Sequence, residues 1–526
     1  MTSDSSFYSL IERRFPADLD SACIETADGL LYSWNDLHHA SGRLAHWLDS
    51  LRLPAGARVA VQVEKSPECL MLYLATLRAG LVYLPLNTAY QRAEIEYFLA
   101  DAEPDVLVCA PARQAELEPL ARRARCHHVV TLGEAREGSL LEAAAPFGDV
   151  YTTRARAAAD LAAILYTSGT TGRSKGAMLT HGNLASNALT LDEFWGFAAE
   201  REAGRQDVLL HALPLFHVHG LFVASHAALL AGAKTLMLSK FEVAEVLERL
   251  PRSTVMMGVP TYYTRLLAEP TFDMARCKSV RLFVSGSAPL LAETHREFEA
   301  RTGHRILERY GMSETVMLVS NPYFKERGSR IAGTVGQPLP GVGVRVVGED
   351  GSVCPTGDIG SVEVRGPNVF AGYWRMPEKT AEEFTADGWF CTGDVGHFGG
   401  RGVPDHYLTL VGRSKDLIIS GGFNVYPKEI EGYIDEMPGV VESAVIGLPH
   451  PDFGEAVVAV IVARRPGAFD ARSVVDGLKG RIANYKVPKR VFVVEDLPRN
   501  TMGKVQKNVL RDRYKATFTP QTRSAA

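Results

Sequence analysis

The feature that most constrains this chain is an uninterrupted apolar segment that runs directly into a loop of glycines and hydroxyl groups. The segment is Leu161–Tyr166, and the loop, residues 167–176, reads TSGTTGRSKG. A short apolar run that ends in turn-forming residues is typical of a buried strand. Glycines let backbone N–H groups approach a phosphate closely, hydroxyl groups donate hydrogen bonds to its oxygens, and a lysine neutralises its charge. The sequence therefore predicts a polyphosphate-binding loop at the end of a buried strand.

The order of residues in this loop excludes a kinase-type phosphate loop. That pattern places a Ser or Thr directly after the lysine, where its hydroxyl group binds Mg2+. Here Ser174 precedes Lys175, and Gly176 follows it. The alternative is a solvated linker, but linkers seldom separate a buried strand from a new amphipathic segment. We therefore predict a phosphate loop of another kind.

Residues 166–176 resemble the phosphate-loop signature of the adenylate-forming enzymes, which include acyl-CoA synthetases, nonribosomal adenylation domains and luciferases. The resemblance implies that Lys175 acts in catalysis and that Thr170 is a second candidate Mg2+ ligand. It also implies that the loop binds ATP through Thr167, Ser168, Gly169, Thr170, Thr171 and Gly172.

Length and composition set the class of protein. A chain of 526 residues is too long for one core, so we expect two or more domains. The net charge of -4 gives no general attraction to nucleic acid or to an anionic membrane. The seven cysteines are scattered and never form a C-x-x-C pair, which argues against a disulfide framework or a zinc site. With no apolar leader and no long apolar run, we expect a cytoplasmic protein.

Alternating predicted strands and helices favour an α/β fold. We predict a large N-terminal adenylate-forming domain of layered sheets and helices (1–412) with a small β-rich piece at 335–364. A hinge at 413–416 and a smaller, mobile C-terminal α+β domain (417–526) follow. Residues 134–158, which are poorly periodic, are expected to be a surface connection.

A second segment, Tyr310–Thr315 (YGMSET), resembles another signature of the family. The resemblance implies that Tyr310 lies against adenine, that Thr315 reaches the α-phosphate and that Glu314 holds Mg2+, a metal that prefers carboxylate and phosphate oxygens. The alternative is an N-capped helix start. Further residues implied in nucleotide binding are Gly311, Glu308, Ser287 and Ala288, the last two in an adenine-side segment, SGSAP.

The resemblance also supplies the ribose site and the hinge. Asp394, in the segment WFCTGD, suits two vicinal ribose hydroxyls because a carboxylate only accepts hydrogen bonds, although it could equally cap a turn. Arg413 resembles the companion ribose contact. Lys415 falls at the position where the family has its hinge.

Two C-terminal segments complete the set. Gly421 and Gly422 lie in a segment that, in the family, borders the CoA channel during the second half-reaction. Lys504, in PRNTMGKVQK, resembles the catalytic lysine, although a lysine in a glycine-containing loop is more often simply solvated. As a point charge on a flexible stem it would stabilise the adenylation transition state.

Four further segments, at 84–90, 214–220, 258–265 and 499–507, resemble the family members that activate malonate. An arginine fits a dicarboxylate, since the second carboxylate can be held by charge-assisted hydrogen bonds, whereas it would be costly in a fatty-acid tunnel. We predict Arg265 as this clamp, with Ser285 and His217 in the same acyl pocket. A solvent-facing helix arginine is the alternative.

The resemblance thus implies an acid–thiol ligase that uses Mg2+ and ATP to join malonate to CoA through an adenylate. The remaining alternatives are a ligase for methylmalonate or another small acid, and a non-catalytic nucleotide-binding regulator. We expect no nucleic-acid or membrane partner. A lysine acetyltransferase and a deacylase acting on Lys504 are further predicted partners.

Overall fold

Two largely parallel sheets form the body of the chain, of which the computed structural model describes residues 4–167, 174–400, 402–420, 423–479, 481–500 and 503–518. Their strands are β1 (Ala22–Thr26), β2 (Leu31–Ser33), β3 (Arg58–Gln62), β4 (Val82–Pro85), β5 (Val106–Cys109), β6 (His128–Thr131), β7 (Leu161–Thr167), β8 (Lys175–Thr180), β9 (Val208–His211), β10 (Lys234–Met237), β11 (Val255–Gly258), β12 (Leu282–Ser285), β13 (Leu307–Tyr310), β14 (Val319–Ser320) and β15 (Gln337–Pro338).

Within the described residues, one sheet has the strand order β6-β5-β3-β4-β7-β8 and the other β15-β14-β13-β12-β11-β9-β10-β1-β2. Neighbouring strands are parallel except at the edges, where β2, β8, β14 and β15 pair antiparallel. Parallel strands need crossover connections, and these are mostly helical here.

The helices of this body begin where the sequence supplies caps. Ser33 and Asp36 form a capping box at one helix, and Thr180 and Asn183 form another. The helices are α1 (Phe7–Glu12), α2 (Trp34–Ser50), α3 (Pro67–Arg78), α4 (Arg92–Ala102), α5 (Gln114–Arg123), α6 (Ser139–Ala144), α7 (His181–Phe194), α8 (Phe197–Glu202), α9 (His226–Ala231), α10 (Val243–Arg249), α11 (Pro260–Leu267), α12 (Met274–Cys277), α13 (Ala292–Thr302) and α14 (Pro377–Glu382).

The core fills the space between the two sheets. Val61, Met257 and Val284 belong to one cluster that joins both sheets, whereas Met256 and Phe283 belong to a second cluster on the outer face. Successive residues of a strand point to opposite faces, so central strands such as β4, β5 and β11 are apolar along nearly their whole length. This burial on both faces explains why the predicted strands read as unbroken apolar runs.

A smaller antiparallel sheet follows, made of β16 (Gly343–Val347), β17 (Gly360–Arg365), β18 (Phe390–Gly400) and β19 (Val403–Arg413). Its last two strands form a long hairpin in which Asp394 lies opposite Arg413. The hairpin therefore brings the two predicted ribose-binding residues side by side.

The C-terminal unit has its own sheet and its own core. Its elements are β20 (Ile418–Ser420), β21 (Phe423–Val425), α15 (Pro427–Asp435), β22 (Val440–His450), β23 (Gly454–Ala463), α16 (Ala471–Leu478), β24 (Arg490–Val494) and α17 (Lys507–Tyr514). Ile430 and Val445 pack on one face of the sheet, and Ile446 and Leu510 on the other. A separate core is what defines a domain. The predicted fold class is confirmed, while the residue limits of the domains and the hinge stay a prediction.

Two local predictions were wrong. The stretch 134–158 is not only a surface connection, because it contains α6, whose Leu140 and Ala144 are buried. The helix predicted at 181–197 ends at Phe194, and a new helix begins after Gly196, which has φ 76°. A helix of six residues is too short to show a period, and Gly196 interrupts a pattern that otherwise continues.

No helix in the described part of the chain is long and apolar enough to cross a membrane.

Candidate functional site

The carboxyl ends of β11, β12 and β13 meet at one edge of the large sheet, and several predicted site residues lie there. Gly258 is in register with Ser285, which is in register with Glu308. Ligands of open α/β sheets bind outside the carboxyl ends of parallel strands. The strand order thus assembles residues that are far apart in sequence.

Asp394, Tyr310 and Arg413 come together at one end of this site. Tyr310 donates its hydroxyl hydrogen to Asp394 Oδ2, and Arg413 Nε lies 2.6 Å from Asp394 Oδ1. Burial, followed by the Asp394 charge, raises the pKa of Tyr310 well above its usual value, so the phenol stays a neutral donor. A carboxylate has about four acceptor positions, so Asp394 can still accept from a diol.

Lys175, which was predicted to bind phosphate, lies in a network that the sequence did not reveal. Its Nζ is 2.6 Å from Glu383 Oε1 and 4.1 Å from the centre of the Tyr373 ring. Tyr373 donates to Glu383 Oε2 at 2.7 Å and lies 3.1 Å from Glu314 Oε1. Burial raises the pKa of Glu383, but the hydrogen bonds from Lys175 and Tyr373 outweigh it and hold that pKa below its usual value. Glu383 is therefore ionised, and its carboxylate pairs with Lys175.

Glu314 fits a Mg2+ ion that is held mainly by phosphate oxygens and water. The residue is 5% exposed, and burial raises its pKa. Among the residues described, His, Cys, Asp and Glu side chains do not gather in groups of three that could hold a metal by themselves. Mg2+ is usually bound through one or two carboxylates together with substrate phosphates. A buried carboxylate next to the predicted phosphate site matches that donor set.

The turn after β13 presents Thr315. Its hydroxyl group is buried and has no hydrogen-bond partner within the described residues. A side chain on Gly311 would place Cβ 2.0 Å from the carbonyl oxygen of Val316, so only glycine fits there. Asn368 donates to Thr315 O at 2.8 Å and fixes the turn. A buried hydroxyl without a partner is suited to a bound acceptor.

Glu308 lies at the base of the site. Leu290 N donates to Glu308 Oε1 at 3.1 Å, and Oε2 has no partner in the part of the chain described. Burial raises the pKa of Glu308 to about 7, so it is partly protonated near neutral pH. Its carboxyl group can then donate a hydrogen bond to the edge of a nucleotide base or accept one from it. Ala288, three residues after Ser285, is half-buried nearby.

Two histidines and Ser287 line the next part of the site. Ser287 Oγ lies 3.2 Å from His219 Nδ1, and His219 N donates to His217 Nδ1 at 3.1 Å. Burial lowers the pKa of His217 to about 3, and the Lys504 and Arg309 charges add to this shift. Burial also lowers the pKa of His219 well below its usual value, so both imidazoles are neutral at physiological pH.

Arg309 is a functional candidate that sequence reasoning missed. It is 5% exposed, and neither Nε nor Nη2 has a hydrogen-bond partner in the described residues. Burial lowers its pKa to about 9. Its guanidinium lies against Gly286, where a Cβ would be 2.4 Å from Arg309 Cζ. A cation between Glu308 and Tyr310 in a short buried strand was the signal that could have revealed it.

The structure treats Ser285 and Arg265 differently. Ser285 is fully buried, and its hydroxyl group is without a partner among the described residues. Arg265 is exposed on α11. Burial raises the pKa of the neighbouring Tyr262 to about 12, and the Arg265 charge partly opposes this shift. The structure thus does not bring Arg265 into the buried part of the site, and its role as a clamp stays a prediction.

Lys504 enters the cleft from the C-terminal domain. Partial loss of hydration in the cleft lowers its pKa to about 8, although the residue keeps an exposed surface, and Arg413 adds to the shift while Asp394 and Glu314 oppose it. A Cβ on Gly503 would lie 3.2 Å from Thr261 Oγ1, so the Lys504 segment contacts α11. The charges of Arg413, Asp394 and Glu314 thus act on the Lys504 ammonium group, and its role as the catalytic lysine stays a prediction.

The remaining predictions concern the loops. Thr167 ends β7 and donates to Lys175 O at 3.4 Å, and Lys415 lies in the turn Ser414–Asp416 just after β19. The others lie outside the described residues, namely Ser168, Gly169, Thr170, Thr171, Gly172, Gly421 and Gly422.

Sequence comparisons match both parts of the chain. The family described as AMP-binding enzyme matches residues 14–374, and the AMP-binding enzyme C-terminal domain matches residues 429–504. A relative from Arabidopsis thaliana, named malonate–CoA ligase, is 36% identical over 490 residues, which cover 87% of this chain and 78% of the relative.

Two solved structures of MatB from Rhodopseudomonas palustris are also similar, and both are 53% identical and cover 98% of this chain and 100% of their own. The ATP-bound structure gives a TM-score of 0.93, and the apo structure gives 0.83.

Proposed function

This chain belongs to the AMP-binding enzyme family, and we propose that it joins malonate to coenzyme A in two steps, through a malonyl-adenylate. The relative from Arabidopsis thaliana that carries the name malonate–CoA ligase supports this choice of acid. ATP, the acid and CoA are then the substrates, and malonyl-CoA, AMP and pyrophosphate are the products.

The observation that carries the proposal is the buried guanidinium of Arg309. A carboxylate is the natural partner of a cation removed from water, and arginine can bind it through two parallel hydrogen bonds. With one malonate carboxylate on Arg309, the other can face the α-phosphate near Thr315 and Lys504. The hydroxyl of Ser285 is a further buried group available to the acid. A monocarboxylate would leave the cation uncompensated.

In the first step, a carboxylate oxygen of malonate attacks the α-phosphorus of ATP. The bond from that phosphorus to the bridging oxygen breaks, and pyrophosphate leaves with the electron pair. Lys504, Lys175 and the Thr315 hydroxyl stabilise the charge that develops on the phosphate oxygens. For Lys175 this requires a change of partner, from Glu383 to phosphate.

We propose that Glu314 holds Mg2+, which when bound neutralises phosphate charge, and that Thr170 is a second candidate ligand. Asp394 and Arg413 would orient the ribose, and Tyr310 would lie against adenine. These contacts fix the α-phosphate relative to the acid, which is how positioning accelerates a displacement.

In the second step, the CoA thiolate attacks the acyl carbon of the adenylate. The bond from that carbon to the phosphate oxygen breaks, AMP leaves, and the thiol proton goes to solvent. We propose that the C-terminal domain first turns about Lys415, which withdraws Lys504 and brings Gly421 and Gly422 to the CoA channel. One site can serve two steps in this way.

The test is an AMP-release assay with malonate, methylmalonate, acetate and succinate, in the presence and absence of CoA. Malonate should give the highest kcat/KM, with AMP release that depends on both CoA and Mg2+. A higher kcat/KM with methylmalonate or another acid would reassign the substrate within the family. No AMP release with any carboxylic acid would favour the nucleotide-binding regulator instead.

Two further parts of the proposal concern regulation of the enzyme and its location in the cell. A lysine acetyltransferase would switch the enzyme off by acylating Lys504, and a deacylase would restore it; undiminished activity of fully acetylated protein would refute this. The cytoplasmic location stays a prediction, which fractionation of cells that produce the protein can test.

A further inference from the structure

Lys504 is carried by a hairpin whose arms, residues 498–500 and 503–506, are joined by backbone hydrogen bonds. Asn500 N donates to Lys504 O at 2.9 Å, and Gln506 N donates to Pro498 O at 2.7 Å. Lys504 N donates to the side chain of Asn500 at 3.0 Å. These bonds fix the shape of the hairpin, but they do not attach it to the rest of its domain.

Arg499 adds a polar attachment to the packing of Val505 against the domain core. Its Nη1 donates to Gly503 O at 2.7 Å, and its Nη2 donates to the carboxylate of Glu442. Glu442 belongs to β22 and is in register with Val462 of β23, a central strand of the domain. One guanidinium therefore connects the residue next to Lys504 with the sheet. The Arg499 and Glu442 side chains are 25% and 24% exposed, so water screens their attraction only in part.

We propose that Arg499 is a positioning residue for adenylation, which fixes Lys504 by bridging the Gly503 carbonyl to Glu442. The proposal rests on the proposed function of Lys504 in the first step. Every residue of the bridge belongs to the C-terminal domain, so the bridge moves with that domain. It therefore determines the position of Lys504 when the domain closes on the cleft. Misplacement of a catalytic group by 1 Å can reduce a rate by about 10²-fold.

Arginine is required because its planar fork reaches two acceptors at once. Arg499→Lys keeps the charge but cannot hold both acceptors in the same geometry. Glu442→Gln keeps the shape of the partner and removes its charge. Arg481→Lys is the matched control, because Arg481 lies in the same domain and pairs with Glu436, at 3.8 Å, away from the hairpin.

The experiment measures the two half-reactions separately. In Arg499→Lys and in Glu442→Gln, kcat for adenylation should fall by about 10- to 100-fold while KM for ATP and malonate changes little. Thioester formation from supplied malonyl-adenylate should proceed at the wild-type rate, and Arg481→Lys should match wild type in both steps. A misfolded domain, or a contact of Arg499 with CoA, would reduce the thioester step as well, and that result would overturn the proposal.

Hydrogen exchange gives a readout that does not depend on catalysis. A peptide spanning residues 498–507 should exchange faster in Arg499→Lys and Glu442→Gln than in wild type, and unchanged exchange would overturn the bridge. Lys504→Ala, run in the same assays, separates the two possible failures. Lost adenylation in Lys504→Ala but normal adenylation in Arg499→Lys overturns the positioning role alone. Normal adenylation in both overturns the function of Lys504 and the positioning role together.

Discussion

Arg309 is a cation that the fold removes from water without surrounding it with anions. Burying a charge costs several kcal/mol unless the charge is paired. The lowering of its pKa to about 9 reflects this cost. A protein can tolerate a buried, unpaired arginine when its ligand supplies a carboxylate. Binding then recovers the free energy that burial of the charge cost during folding. In the proposed function, this residue is the main source of selectivity for a diacid.

Replacing Arg309 by methionine should therefore remove malonate selectivity. Charge-assisted hydrogen bonds contribute about 1.5–3 kcal/mol, so kcat/KM for malonate should fall by about 10- to 100-fold. Turnover of acetate should be spared or improved. Arg265→Ala is the comparison, because Arg265 is exposed. If Arg265→Ala loses malonate activity and Arg309→Met retains it, the clamp is Arg265.

The pKa of Lys504, about 8, gives adenylation an alkaline limit. The ammonium form predominates below that pKa and the neutral amine above it, and only the charged form stabilises phosphate charge. We expect kcat/KM for adenylation to fall as the pH rises through about 8, while thioester formation shows no such limb. A Lys504→Arg variant, charged throughout this range, should lack the limb at whatever residual rate it has. An identical limb in that variant would assign the titration to another group.

At the scale of the element, the end of β12 determines where Arg309 can lie. The strand passes from Ser285 to Gly286 against the guanidinium, and the next residue, Ser287, has φ 70°. Glycine is needed at position 286 because a side chain approaches the backbone closely, and not because the backbone turns there. We therefore expect the absence of a Cβ on Gly286 to contribute to the proposed recognition of the acid.

Gly286→Ala should reproduce the Arg309 phenotype with the arginine still present. The new Cβ would lie 2.4 Å from Arg309 Cζ, so the guanidinium must move out of its place. We expect malonate KM to rise and the affinity for ATP, measured by calorimetry, to stay near that of wild type. Gly148→Ala is the control, because a Cβ there meets nothing within 4 Å. Equal losses of ATP and malonate binding in Gly286→Ala would point to general distortion of the strand end.

Strands could be predicted from the sequence where they are buried along their whole length, and could not be predicted where burial is interrupted. Strands such as β5, β7 and β11 are buried along nearly their whole length, and their apolar runs were visible. The hairpin of β18 and β19 was missed, because its glycines and polar residues give no period. Its stability comes from pairing with β17, a contact that is distant in sequence.

The same contrast holds for the site. Asp394 and Arg413 were predicted from their motifs, and the structure pairs them. Glu383 and Tyr373 could not be found, since they act on Lys175 through contacts across more than 190 residues and carry no motif of their own. Arg265 was predicted from a segment that resembles malonate-activating relatives, whereas Arg309 was not considered, and the role of Arg265 stays a prediction. Side-chain direction depends on packing, which periodicity does not determine.

At the scale of the whole molecule, the two domains meet where Gly503 approaches Thr261. A Cβ on Gly503 would lie 4.0 Å from Thr261 Cβ, within the range of about 3.5–4.5 Å that a disulfide spans. This contact belongs to the arrangement that delivers Lys504 to the cleft. If the domain must turn between the steps, the contact has to break before CoA can react.

A disulfide between Thr261→Cys and Gly503→Cys should therefore stop the enzyme between its two steps. The oxidised double variant should form one equivalent of malonyl-adenylate and fail to pass the acyl group to CoA, and a reductant should restore the second step. Cysteine at position 503, where φ is 73°, is strained by roughly 1–2 kcal/mol, so each single variant is measured alongside. The single variants also control for mispairing with the half-buried native Cys354 and Cys391. Undiminished malonyl-CoA formation by the fully cross-linked protein would mean that both steps occur in one arrangement of the domains, because the covalent bond leaves Lys504 no way to withdraw.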